Sequence, residues 1–525
     1  MPPRKPSRRL LGDRPLVPLQ FAVGGLLVIG VLTRFFGLAR EIVVAGFFGT
    51  SAQLDAVFLG LAIPIALCLG LGGGLSRAVV PLGAAIGQRQ LGGAFRLAGG
   101  RALSVTLTIS LIMAIGAPAW TMLVLIGADG VPRLTVMAAG IIGSLALGGA
   151  AFGGIAIGLA NAQGRHFSAS MTPVAYNLCM IGTVLLLARP LGPLSVAAGI
   201  VAAEWGQVLA LAPFLRRIGR WAAPPPRAFL RKARQLFWPA VFISMAGGLT
   251  MTVDRAFAAS LPERSVSALA YAERLLNFPV LLIGLALQHP LYTRLARFAA
   301  SNWSRSFEDT LAIGIRTLLL AGTPAALAVG FLAAPLIGLL LERGAFSGAD
   351  TALSALAMRG YAPGIVFLAM IPLLLSAALA RGNPWKPVFV LLFSVGLNAV
   401  LNAILIRYLG LPGIALATSI VALLSAGLLL LLTAPRVLLS VALWRTAGVA
   451  VLMAVAGGLG LGVYTMIMPA LPGMAGQALV LILGGVVLAV SIALVAGGFA
   501  GVEYVRLRSL ARAIGARAHG KAGRR

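Results

Sequence analysis

The sequence predicts an all-α polytopic membrane protein with about 14 transmembrane helices, arranged as two six-helix bundles followed by two extra C-terminal helices. Three observations point there. Of the 525 residues 59% are hydrophobic and only 10% charged, against roughly 25% charged in soluble domains, and the mean hydropathy is +0.98. The apolar residues gather into runs long enough to cross about 30 Å of hydrocarbon as helix. The net charge of +29 is spread unevenly over the connections between the runs. A water-soluble globular fold is excluded, and structure has to come from helix packing.

After a basic tail, 1–17, the first run covers 18–47. Its basic approach is like that of a signal peptide, but it is too long, lacks a small-residue cleavage site and contains Arg34 and Arg40, so it stays as a helix. The second run, 52–75, holds Gly70-Leu71-Gly72-Gly73-Gly74. No strand precedes these glycines, so a helix break or close helix packing is expected rather than a dinucleotide loop. Runs at 93–125, 134–160, 168–188 and 193–215 complete an N-terminal bundle, 18–215. Residues 216–235 carry Arg216-Arg217, Pro224-Pro225-Pro226 and Arg231-Lys232-Ala233-Arg234 and read as a basic cytoplasmic linker. Runs at 236–260, 265–291, 308–341, 351–380, 387–406 and 410–434 form a second bundle, 236–434. The extra pair, 441–467 and 474–501, lies in 435–502, and a basic tail, 503–525, follows.

An even number of crossings puts both termini on one side, and both are basic. On that topology 31 of the 42 basic residues face the side of the termini and 5 the opposite side. This split follows the positive-inside rule and makes both termini cytoplasmic. Nucleic-acid binding becomes an unnecessary hypothesis. Cys68, Cys179 and three scattered histidines supply neither a disulfide framework nor a metal site. Phosphate-binding loops, His-Glu-x-x-His and Gly-x-Ser-x-Gly elbows are absent, so no enzyme is expected.

The remaining charges lie within the runs: Arg34, Arg40, Arg255, Arg274, Arg316 and Arg359, with Glu41, Asp55, Glu204, Asp254 and Glu273. A charge facing lipid at mid-bilayer costs roughly 2.5–3.5 kcal/mol, so these side chains pair, line a polar cavity or reach an interface. Arg316 and Arg359 are placed to reach an interface. Arg34 and Glu41, seven apart, share a helix face; Asp254-Arg255 and Glu273-Arg274 set acid beside base. One reading is structural ion pairs between helices. The other is a cavity in which Arg34, Arg40, Arg255 and Arg274 bind an anionic head group, since guanidinium forks clamp phosphate and keep their charge when desolvated. Glu41, Asp55, Asp254 and Glu273 are then the cavity acids. A faint internal echo, Arg40 and Asp55 in one half, Arg255 and Glu273 in the other, suggests a repeat with the site between halves.

Four segments carry a family resemblance. Thr33-Arg34-Phe35-Phe36-Gly37-Leu38-Ala39-Arg40-Glu41, with Phe48-Gly49 and Asp55-Ala56, resembles the opening of the MurJ/MviN family of lipid II flippases. Tyr271-Ala272-Glu273-Arg274-Leu275, with Pro279, is similar to that family's Tyr-Ala-Asp-Arg-Leu…Pro. Gly344-Ala345-Phe346 with Asp350-Thr351 looks like its periplasmic turn, and Asn398, Asn402 and Gly413 to Ser419 resemble its eleventh and twelfth helices.

The resemblance implies an alternating-access flippase that moves undecaprenyl-diphosphate-linked peptidoglycan precursor, lipid II, across the bacterial inner membrane for cell-wall synthesis. It places Arg34, Arg40, Arg255, Arg274 and Asp55 at the central cavity and a lipid-tail groove at the last two helices. It further implies no cofactor, coupling to Na+ or to membrane potential, and a sodium site at Asn398, Asn402 and Thr418. Lipid II or a similar polyprenyl-diphosphate glycolipid, membrane lipids and cell-wall synthesis proteins are the implied partners. Between Pro64 and Pro81 the family's Arg and Glu are missing, with Arg77 as a substitute cation from another position. The alternatives are therefore a flippase for another polyprenyl-diphosphate glycan and, on the same scaffold, a cation-coupled drug antiporter.

Overall fold

A computed structural model describes residues 19–493, apart from 84–85, 87, 126–129, 220–222, 225–226, 301–303 and 468–473. Both basic tails and the last run beyond Ala493 lie outside the described residues. Among these, every regular element is a helix and none is a strand. Within the described residues each of the fourteen apolar runs falls on one helix or on consecutive helical segments. Eleven helices are long and apolar enough to cross a membrane, or twelve if the bent pair Leu194–Ala210 and Ala212–Ile218 counts as one span. Two further runs fall on the Leu19–Phe48 and Ser265–Ala300 helices, of 30 and 36 residues. Of the expected linker, residues from Arg227 onward already belong to the Arg227–Ala258 helix. Arg231, Lys232 and Arg234 are good helix formers, so the helix extends past the apolar stretch.

The breaks have local causes. Helix Ala52–Gly60 stops at Leu61 and resumes as Ala62–Cys68. The ring of Pro64 excludes a regular turn over the carbonyl of Gly60, four residues back. The glycine run forms a π-helical turn, Leu69–Gly73, and also permits close packing. A Cβ at Gly70 would lie 2.9 Å from Met245 Cβ, and one at Gly74 would lie 2.6 Å from Val241 Cα. Small residues of this kind let helices approach where lipid supplies no hydrophobic drive. The packing seals one seam between the halves, and Thr252 Oγ1 adds a hydrogen bond to the Ala62 carbonyl at 3.0 Å.

Arg316 does not reach an interface as expected. It is 8% exposed, and its Nε donates to Thr446 Oγ1 at 2.8 Å. The Val441–Ile467 helix packs directly over it, so the guanidinium ties this extra helix to the second bundle.

Candidate functional site

At one end of the molecule the two halves close on each other. Gly49 and Gly344 have φ of +53° and +62°, values that favour glycine. A side chain at either would strike the backbone of the other half, Ala345 and Gly46 respectively. With both absent, Ala345 N–H donates to the Gly46 carbonyl at 2.8 Å. Thr50 Oγ1 donates to Asp350 Oδ1. The other oxygen of Asp350 accepts from Ser347 N–H at 2.7 Å in a capping box at the start of helix Gly348–Tyr361. Arg264 Nη1 lies 3.5 Å from the same carboxylate. Asp55 is not beside the arginines. Its Oδ1 accepts from Ser267 N–H at 2.7 Å, so it caps the Ser265–Ala300 helix of the opposite half.

Deeper in, the Leu19–Phe48 and Ser265–Ala300 helices are joined by an ion-pair bridge. Glu41 Oε1 accepts from Arg40 Nε at 2.9 Å, and its Oε2 accepts from Arg274 Nη1 at 2.7 Å. Arg255 faces Glu273 at 3.9 Å. Aromatic faces support the cations: Arg274 lies 4.6 Å and Arg255 5.8 Å from the Phe58 ring centre, and Arg40 lies 5.9 Å from that of Tyr176. Phe58 itself packs edge-on to Tyr271, and Tyr271 to Phe346 of the closing loop. Arg40, Arg255 and Arg274 are thus brought together, while Arg34 stands about 9 Å along the helix axis from Arg40.

The pairings differ from those expected. Glu41 serves Arg40 and Arg274 rather than Arg34, because its helix turns it towards the other half. Arg34 Nε and Arg255 Nε and Nη1 are buried without a hydrogen-bond partner among the described residues. Arg77 is exposed, and Glu204 accepts from Gln207 Nε2 at 2.9 Å on its own helix. Asp254 does not pair with Arg255. Adjacent helical positions point about 100° apart, and Asp254 turns into the second bundle.

There it forms a second cluster, in which Asp254, Asn398 and Asn402 are buried and Thr418 is partly buried. Asn402 Nδ2 donates to Asp254 Oδ1 at 2.7 Å, and Thr418 Oγ1 donates to Oδ2 at 2.8 Å. Asn398 accepts from Asn402 and donates to Thr418, both at 3.2 Å. The structure therefore gathers Asn398, Asn402 and Thr418 and adds Asp254 to them. Asn402 Oδ1 is buried without a partner.

A paired cationic bridge between two helical bundles can hold an anion and change as the bundles move. The sequence model of the family described as "Lipid II flippase MurJ" matches residues 44–481. This chain belongs to the MurJ family. A Vibrio cholerae relative, "Probable lipid II flippase MurJ", is 30% identical over 431 residues, covering 76% of this chain and 80% of its own. "Lipid II flippase MurJ" of Burkholderia cenocepacia is 26% identical over 419 residues, covering 76% and 81%. Among solved structures, "Lipid II flippase MurJ, inward closed conformation" superposes with a TM-score of 0.73 at 20% identity, over 90% of this chain and 99% of that one. An inward-facing multidrug transporter of the MATE family gives 0.62 at 19% identity, over 79% and 96%. These two likenesses establish the fold. MurJ membership makes the protein a multi-pass membrane protein, as the sequence predicts.

Within this MurJ chain, sequence reading missed Phe58 and Tyr176, the rings beneath the arginines. Phe58 follows Asp55 by three residues, one helical turn, and that spacing is the only sequence signal for it. Tyr176 has none.

Proposed function

We propose that the protein carries lipid II from the inner to the outer leaflet of the bacterial inner membrane, with both termini cytoplasmic. The observation that carries this reading is the bridge itself. Arg40 and Arg274, from opposite halves, share Glu41, while Arg34 and Arg255 hold buried donors in reserve. A diphosphate offers these donors acceptors, competes with Glu41 and loosens the joint between the halves. Rocking then opens the end now closed by Thr50 and Asp350, and the head group leaves on the far side. The names of the relatives support lipid II as the cargo. Arginine forks fit an anion better than the cations of a drug antiporter. The polyprenyl-diphosphate glycans of other exporters share the phosphate chemistry, and the Arg and Glu absent between Pro64 and Pro81 favour them as the second reading.

For coupling, an inside-negative potential drives negative charge outward, worth roughly 2.3 kcal/mol per charge at 100 mV. The cluster of Asp254, Asn398, Asn402 and Thr418 suits a sodium ion, which takes oxygen ligands. One carboxylate and an amide oxygen without a partner supply them. Proteins of cell-wall synthesis are the partners this reading implies.

The test is rescue of a bacterium depleted of its own lipid II flippase, scored as lipid II accessible on the outer leaflet. Rescue by the wild type and its loss in Arg40→Ala at unchanged protein level are expected. A well-expressed wild type that leaves outer-leaflet lipid II at the depleted level overturns the reading and turns the search to other polyprenyl-diphosphate glycans.

A further inference from the structure

A cavity lies apart from the arginine bridge. It is a cleft of about 990 Å³ bounded by helices Ser304–Phe331, Gly348–Tyr361 with Ile365–Ala380, Leu411–Thr433 and Val441–Ile467. It runs from Trp444, at the start of the Val441–Ile467 helix, to Phe331, at the far end of the parallel Ser304–Phe331 helix. Among the described residues, none of the Leu19–Phe48 or Ser265–Ala300 helices lines it, and none of the bridge residues does. Trp444 and Val451 are more than half exposed, which opens the cleft to the surrounding bilayer.

The wall is apolar but for one charge, Arg359. This guanidinium is exposed and makes no hydrogen bond or ion pair among the described residues. The cleft's two threonines are engaged elsewhere: Thr323 donates to the Leu319 carbonyl at 2.8 Å and Thr465 to the Gly462 carbonyl at 3.0 Å, each on its own helix. An unpaired cation beside hydrocarbon is costly, and a long apolar cleft is filled by chains. One molecule satisfies both: a lipid with a single anionic phosphate. The wall has no array of donors and acceptors with which to seat a glycan, which separates this occupant from the transported head group.

We propose that the cleft binds an anionic phospholipid of the surrounding bilayer, its phosphate on Arg359 and its acyl chains along the Val441–Ile467 helix. The lipid fills the space between that helix and the second bundle and fixes their spacing. Gly427 lines the cleft, and a Cβ there would meet nothing within 4 Å, so a side chain can be grown into the space without touching the charge.

The experiment is native mass spectrometry of the full-length protein released from nanodiscs of equimolar phosphatidylglycerol and phosphatidylcholine. Wild type is expected to retain a tightly held phosphatidylglycerol. Arg359→Gln should lower its enrichment about fivefold, the worth of one basic residue near a lipid surface, and Arg359→Lys should keep it. Gly427→Phe should lower retention of both lipids. Wild-type enrichment in Arg359→Gln, or wild-type retention in Gly427→Phe, overturns the proposal. So does a wild type that holds added lipid II in place of phosphatidylglycerol and loses it on Arg359→Gln.

Discussion

The bridge of Arg40, Glu41 and Arg274 and the cluster of Asp254, Asn398, Asn402 and Thr418 are both largely buried and both polar, yet they are built in opposite ways. The bridge draws its partners from different halves of the molecule, with Glu41 and Arg274 separated by 233 positions. The cluster draws all of its members from the second half. Movement of the halves must therefore break the bridge and carry the cluster along intact. Their unmet hydrogen bonds also have opposite sign. Around the bridge the spare groups include the guanidinium donors of Arg34 and Arg255; in the cluster the spare group is an acceptor, Asn402 Oδ1. Buried polar groups seek partners, so on the function proposed above the moving site takes an anion and the fixed site a cation.

The largest effect is expected at the bridge, where we propose that the anion is held. Arg274→Ala removes a fork worth roughly 10- to 100-fold in transport, from 1.5–3 kcal/mol for hydrogen bonds to a charged group. Arg274→Lys, which keeps the charge and loses the fork, should fall between. Outer-leaflet lipid II per molecule of protein measures both. Equal transport by Arg274→Ala and wild type would remove the anion from the bridge and with it the contrast.

The cluster is broken next. Replacing K+ by Na+ is expected to raise the melting temperature of wild type, by up to about 2.7 kcal/mol of stabilisation at a hundredfold excess over Kd. Asp254→Asn should abolish that response, and Arg274→Ala should keep it, because no member of the cluster sits on the Ser265–Ala300 helix. A sodium response lost in both variants means that the two sites are one coupled network.

The contrast between these sites was only half legible in the sequence. Residue types announced the first, as arginines in apolar runs; Asn398, Asn402 and Thr418 came only through the family resemblance. The glycines at 70–74 announced close packing, and Gly70 and Gly74 provide it. Pairing was not legible. Arg34 and Glu41 share a face by spacing, but Glu41 is claimed by Arg274 from another helix. Asp254 and Arg255 are neighbours in sequence and serve different sites. The echo of Arg40 and Asp55 in Arg255 and Glu273 is formal, since Arg255 meets Glu273 while Asp55 caps a helix. A membrane helix that is apolar nearly all round has no polar face to reveal which way it is rotated. Partners on other helices then follow from packing alone.

The closed end gives a third, smaller test of the difference between moving and fixed regions. Asp350→Ala removes the acceptor of Thr50, the cap of Ser347 and the partner of Arg264. Losing such buried hydrogen bonds costs roughly 1–3 kcal/mol, which favours separation of the halves at this end. Labelling of Ser51→Cys by an impermeant maleimide, with Cys68 and Cys179 replaced by Ser, should quicken about fivefold or more, since 1 kcal/mol is a factor of about five in the population of an open state. The sodium response should stay. Unchanged labelling would mean that Gly46–Ala345 and Asp55–Ser267 alone keep the end shut.

The smallest effect belongs to a contact that is fixed but lies outside the cluster. Thr446→Val keeps the shape of the side chain and removes the acceptor of Arg316 Nε. Arg316 makes a further contact, so the charge is not stranded, and the cost should be about 0.5–1.5 kcal/mol. It should be read as a modest fall in melting temperature in detergent. Transport should be unaltered, because the Ser304–Phe331 and Val441–Ile467 helices both lie on the second-half side of the bridge. If transport falls further than stability does, the Val441–Ile467 helix moves with the cargo, and the division between a moving joint and a rigid second half has to be redrawn through Arg316.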